Sequence, residues 1–286
     1  MPKTLRLTAA LCALAMAVLF SAASADAYFG EIVHTISRSP EVNRWWGGVC
    51  WKDGYLYEIL VRCSFFRQRN PRTGATVAYL DFDVPWDEPY AYGISWDSKR
   101  NCWWILDAKE AICQVPAGGG AVISYFTSPH RAGAYYDPKI DRLWVTNQVN
   151  NRIYRYTVDG EREATISVEV PGAGGIVRVG DKFWVTITNT DDGDWPMVYE
   201  LNLDGSKTGR YFVLPHETGY YWNLGGITFD GRYLWVEGGI GNDIYQVDIG
   251  YGSDPDPDPT PPPSSLGAEI IDYDGDGLSE PAVYRP

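Results

Sequence analysis

Near the C-terminus, "DYDGDGLSE" (residues 272–280) sets Asp272, Asp274, Asp276 and Glu280 at positions one, three, five and nine of one loop. The Leu278 carbonyl falls at position seven, and Gly277 permits the sharp turn between them. Hard oxygen ligands at this spacing suit calcium, which accepts a flexible all-oxygen set better than magnesium does. An EF-hand needs a bidentate Glu at position twelve, where Val283 stands here, so a loop between strands is expected. Carboxylates this close repel one another, and a bound cation relieves the repulsion. The expected cofactor is calcium at this loop.

A second set of groups is scattered, and mixes rings with acids: Trp45, Trp46, Trp86, Asp87, Tyr90, Asp192, Trp195, Glu217, Tyr221 and Trp222. Rings stack on sugar or peptide planes while carboxylates accept hydrogen bonds, so such a set suits a glycan, peptide or protein ligand. The same rings could instead form a small local core beneath long loops. His130 and His216 each follow a proline and join this set, as loop polar groups or as ligands of a metal. Glu58, in "YLYE", is the weak candidate for a catalytic carboxylate. Four cysteines follow the N-terminal segment: Cys50, Cys63, Cys102 and Cys113. They allow three pairings in an oxidising compartment; Cys50–Cys63 and Cys102–Cys113, each local in sequence, are the expected disulfides. No CxxC or Cys/His spacing of a zinc site occurs.

What must position these residues is a repeat. "GAYYDPKIDRLWVTN" at Gly133 recurs as "GISWDSKRNCWWILD" at Gly93, "GIVRVGDKFWVTITN" at Gly175, "GITFDGRYLWVEGG" at Gly226 and a worn "GVCWKDGYLYE" at Gly48. The glycines stand 45, 40, 42 and 51 residues apart. An apolar-aromatic pair follows each, then a short run such as "RIYRY", then a fourth such as "EATISVEV". Four short strands in about 40–45 residues are one blade of a β-propeller. The last unit lacks its fourth strand, and "GEIVHTISRSP" near the N-terminus supplies one. Pro40, Pro85, Pro129, Pro171 and Pro215 repeat behind the fourth strands in step with it. The expected fold is all-β: a five-bladed propeller of four-stranded blades, closed by the N-terminal strand, which leaves no open edge. Asp97, Asp137 and Asp230 then cap tight turns, and Trp104, Trp144, Trp184 and Trp235 pack between sheets.

In wording, "LWVT" followed by "I-Y" resembles the broad NHL and YVTN-type family of secreted propellers over residues 29–250, which implies the fold and no chemistry. "YLYE" resembles the first-blade stretch of the plant and bacterial type of glutaminyl cyclase, which implies a functional role for Glu58. That family's Asn in blade four and Lys in blade five have no counterpart in "WVTITNT" and "WVEGG". "DYDGDGLSEPAVYRP" resembles the start of an FG-GAP-type, integrin-like repeat, with Glu280 where that family carries Asp; the resemblance implies the calcium loop.

The ends complete the plan. Lys3, Arg6, an apolar run and small residues read as a signal peptide over residues 1–27. The propeller occupies 28–251, a stiff Asp/Pro/Ser-rich linker 252–267, and the partial calcium repeat 268–286. Formal net charge is −13, which disfavours nucleic acid as a partner, since phosphate binding needs a basic surface. No membrane span is expected. The chain reads as an exported protein (extracellular, periplasmic or cell-surface). Its expected function is a binding module with the ligand at the mouth of the ring; the alternative is a hydrolase or glutaminyl-cyclase-like enzyme using the same mouth.

Overall fold

The computed structural model describes residues 29–37, 47–61, 63–86, 90–107, 109–129, 132–187, 197–215, 225–238 and 243–251. The chain divides into two compact units, Met1–Ser253 and Asp254–Pro286. The calcium loop and the linker therefore lie outside the described residues, as does the N-terminal segment.

The first unit is five antiparallel sheets arranged as a five-bladed propeller. The opening strand, β1 (Glu31–Ile36), belongs to the last blade. Blade one runs from the axis outward through β2 (Val49–Lys52), β3 (Tyr55–Ile59), β4 (Phe65–Arg69) and β5 (Thr76–Asp83). Blade two holds β6 (Ala91–Asp97), β7 (Cys102–Asp107), β8 (Ala111–Pro116), a two-residue β9 (Gly120–Ala121) and β10 (Ser124–Thr127). Blade three holds β11 (Ala134–Asp137), β12 (Arg142–Asn147), β13 (Arg152–Tyr156) and β14 (Arg162–Ser167). Blade four holds β15 (Ala173–Val179), β16 (Lys182–Ile187), β17 (Met197–Asn202) and β18 (Lys207–Val213). Blade five is β19 (Ile227–Phe229), β20 (Tyr233–Glu237), β21 (Ile244–Asp248) and then β1, paired from Glu31↔Asp248 to Ile36↔Ile244. The N-terminal strand thus closes the ring as its sequence suggests.

Burial follows from position in the blade. Second strands are covered on both faces and read as unbroken apolar runs: every residue of β7, "CWWILD", is buried. Outer strands face solvent on one side and alternate, as in "TVAYLDFD" of β5. Trp104, Trp144, Trp184 and Trp235 are all buried between neighbouring sheets. The turn aspartates cap as expected: Asp97 Oδ1 accepts the backbone N–H of Lys99 and Arg100, and Asp230 Oδ1 that of Arg232 and Tyr233. Their second oxygens accept the indole N–H of Trp104 (3.1 Å) and Trp235 (2.8 Å), tying the turn to the inter-sheet core.

The outer edge of blade two is broken: Gly119 and Gly120 adopt positive φ, and β9 leaves its own blade to pair in parallel with β5 of blade one. One expectation needs correction. The disulfides are absent, and all four cysteines are buried. Register is the reason. Cys102 lies opposite Pro116, whereas Cys113 lies opposite Ile105, three positions along β7. Three residues of strand span about 10 Å and an odd offset turns the side chains to opposite faces, beyond the roughly 7 Å that a disulfide can bridge. Cys50 is level with Tyr57, while Cys63 sits in the hairpin loop beyond Ile59.

Candidate functional site

Because the strands alternate in direction, every first strand begins at the same end of the ring. The segments 37–48, 84–90, 128–133, 168–172 and 214–226 precede those first strands in the chain, and 188–196 joins a second strand to a third. By residue number, all twelve sequence candidates for ligand binding fall in the segments between these strands.

The axis is closed by the repeated glycines. A Cβ built on Gly133 would stand 2.7 Å from the Gly175 Cα, one on Gly226 2.8 Å from the Gly48 Cα, and one on Gly48 2.9 Å from the Gly93 Cα. Backbone meets backbone around the pentagon, and only a residue without a side chain fits. Hydrogen bonds lace the same level. Thr186 Oγ1 accepts from Gly175 N–H (2.7 Å) and donates to Gly225 O (2.9 Å); Thr146 Oγ1 does the same between Gly133 and Gly174. At the seam of blades five and one, Gly226 N–H donates to Gly47 O at 3.1 Å. The repeated glycines therefore form a backbone-sealed ring at this end of the inner strands.

At that level lies a buried charge cluster on the face of blade one turned to blade five. Glu58 is wholly buried; its Oε2 accepts from Arg67 Nε at 2.5 Å and from Arg69 Nη1 at 3.4 Å. Arg69 is held in turn by two bonds to the Gly74 carbonyl. Burial pulls the Arg67 guanidinium below its ordinary pKa, and the carboxylate of Glu237, wholly buried in blade five, opposes that shift. Glu58 is therefore an anchored ion-pair partner between the blades, with none of its surface open to solvent.

Two of the twelve binding candidates are described, and the structure does not bring them together. Trp86 is half-buried and turns edge-on to Tyr125 of blade two's outer strand, with ring centroids 5.7 Å apart. Tyr90 stays at the root of β6, where its N–H donates to Asp107 Oδ2 (2.7 Å) and its ring meets Tyr92 at 5.1 Å. Trp86 thus packs against a neighbouring outer strand, and Tyr90 against the root of its own sheet. Trp45, Trp46, Asp87, His130, Asp192, Trp195, His216, Glu217, Tyr221 and Trp222 lie outside the described residues. Among the described residues no His, Cys, Asp and Glu side chains gather into a metal site.

Sequence reasoning missed Arg67, Arg69, Asp107 and Glu237. One signal was available: "FFRQR" puts two arginines on one face of a strand that must be buried, which calls for a buried carboxylate nearby. Asp107 carried none, since only the fold shows that its two oxygens tie down the N–H groups of Tyr90 and Lys109.

No family model matches the chain, and no curated protein matches it in sequence. Solved structures do. A glutaminyl cyclase from Myxococcus xanthus aligns at TM-score 0.60 and 13% identity, covering 77% of this chain and 95% of that one. A virginiamycin B lyase from Staphylococcus aureus, solved with quinupristin, aligns at TM-score 0.45 and 18% identity over 73% of this chain and 67% of that one. At these identities the likeness is one of fold.

Proposed function

We propose that the chain is an exported ligand-binding propeller that holds a glycan or peptide segment at the loop end of the ring. The observation that carries this reading is the backbone-sealed ring of glycines at one end of the inner strands. The segments that precede the first strands in the chain are rich in unrepeated aromatics and acids, and function in such rings resides in the loops. The one residue that resemblance marks for catalysis, Glu58, is committed to two arginines within the wall. The acidic repeat beyond the linker binds calcium and serves as a second surface module; titration calorimetry of the full chain against its Asp274→Ala, Asp276→Ala variant checks it, with calcium heat expected only in the former.

The test of this reading is a glycan array and a peptide panel probed with the full chain, followed by turnover assays on whatever binds. Binding without product is expected, and Trp222→Ala weakens it about tenfold, or about 1.4 kcal/mol, at unchanged melting temperature. Cyclisation of peptides with N-terminal Gln, or hydrolysis of a bound glycan, overturns the reading in favour of an enzyme. Equal binding by Trp222→Ala removes the loop end as the site.

A further inference from the structure

At the opposite end the inner strands enclose a cavity of about 200 Å³ that opens among the turns joining first to second strands. That is smaller than the pockets that take drug-sized ligands, and at about 30 Å³ per water it holds roughly six or seven waters. The residues two past the ring glycines face it: Cys50, Ser95, Tyr135, Val177 and Thr228. Trp51, Trp96 and Phe229 form apolar walls, and Arg178 completes the lining.

The polar groups here share one character. Ser95 Oγ accepts the N–H of Tyr136 at 2.8 Å, and Thr228 Oγ1 accepts that of Trp51 at 2.9 Å. Each hydroxyl has thus used a lone pair and keeps its proton to donate. Tyr135 has Asp137, Arg178 and Cys50 as neighbours, and burial pushes its phenol well above the ordinary value, so it too stays a donor. Arg178 gives Nη1 to Asp137 Oδ2 (2.6 Å) and Nε to Gly180 O (3.0 Å), which leaves Nη2 for a ligand. The Cys50 thiol, pushed up to about 12 by burial, remains uncharged. Among the described residues that line the cavity, donors therefore converge and no carboxylate is present.

Charge around the opening is mixed. Lys52 pairs with Asp53, Lys99 with Asp141 and Lys182 with Asp181, while Asp97, Asp137 and Asp230 cap backbone N–H groups of the turns. Recognition of an anion therefore rests on the donors that line the cavity.

We propose that this cavity is a second binding site, for a small organic carboxylate, whose oxygens are held by Arg178, Ser95, Tyr135 and Thr228 while its body lies between Trp96 and Phe229.

Sodium benzoate is the probe, titrated into the full chain and followed by tryptophan fluorescence and calorimetry. Saturable binding is expected. Tyr135→Phe keeps the ring and removes one donor, and should weaken binding about tenfold, a change of about 1.4 kcal/mol, with the melting temperature unchanged. Arg178→Gln should abolish it; should that variant not fold, Tyr135→Phe still decides. No saturable signal in the parent chain, equal affinity for neutral benzamide, or unaltered benzoate affinity in Tyr135→Phe each overturns the assignment.

Discussion

Replacing Gly226 with Ala puts one methyl group against the backbone of the neighbouring blade, at the seam of blades five and one. The new Cβ would stand 2.3 Å from the backbone nitrogen of Val49, 2.8 Å from the Gly48 Cα and 2.9 Å from the Gly48 carbonyl carbon. No rotamer change relieves contacts with backbone. Ordinary contact begins near 3.5 Å, so blades five and one must part by about 1 Å. That movement stretches the Gly226 N–H to Gly47 O bond, now 3.1 Å, and loosens the packing of Trp235, Val49 and Leu56 at the seam. Over-packing a core costs about 1–3 kcal/mol, and with three backbone contacts the upper end applies. For a domain of this size, about 3 kcal/mol lowers the melting temperature by roughly 6–12 °C. Gly118→Ala is the control: its Cβ would meet nothing within 4 Å, and losing glycine's freedom in the unfolded chain makes it neutral or stabilising by about 0.4–1 kcal/mol. Differential scanning calorimetry on both variants gives the answer. If the two melt together within a degree or two of the parent, the glycine pentagon is not what constrains these positions.

Three further outcomes follow from buried and paired groups. Glu58→Gln leaves two arginines facing a neutral amide inside the wall and should cost about 3–5 kcal/mol in denaturant unfolding; a loss under 1 kcal/mol would mean that the cluster does not depend on this carboxylate. Burial pushes Cys50 and Cys113 up to about 12, so the thiols of the native chain should resist a maleimide at pH 8 and all four, counted after removal of residues 1–27, should react once urea unfolds it; fewer than four in unfolded, unreduced protein would indicate disulfides after all. Asp141 accepts from both Arg100 Nη atoms (2.7 and 3.0 Å) and from the Tyr136 hydroxyl (2.6 Å), bonds that hold its carboxyl well below the ordinary value of 3.8. A depressed folded-state pKa means stabilisation that is complete above the unfolded value and is lost as pH falls below it toward the folded one. The stability advantage over Asp141→Asn should therefore be constant from pH 7 to about 5 and shrink below 3.8; an advantage undiminished between pH 5 and pH 2 would refute the assignment.

Much of this protein was legible in one dimension because its fold repeats. Each blade restates the same demands, a glycine at the axis, an apolar-aromatic pair behind it and a turn aspartate below, so five imperfect copies reveal a pattern that one would hide. The spare strand before Pro40 and the missing strand after "IYQVDIG" likewise showed how the ring closes, and β1 pairs with β21 accordingly. The sequence could also say that every first strand starts at one end, because strand direction alternates. It could not say where a cysteine lies relative to its neighbour across a hairpin. A shift of three positions separates Cys102 from Cys113, and register is set by the whole sheet's packing. Nor could it show that Glu58 faces two arginines, that Trp86 folds outward onto Tyr125, or that the repeated glycines exclude one another's side chains around the axis. Those facts arise between blades distant in sequence, where burial and close approach are decided only when the ring shuts.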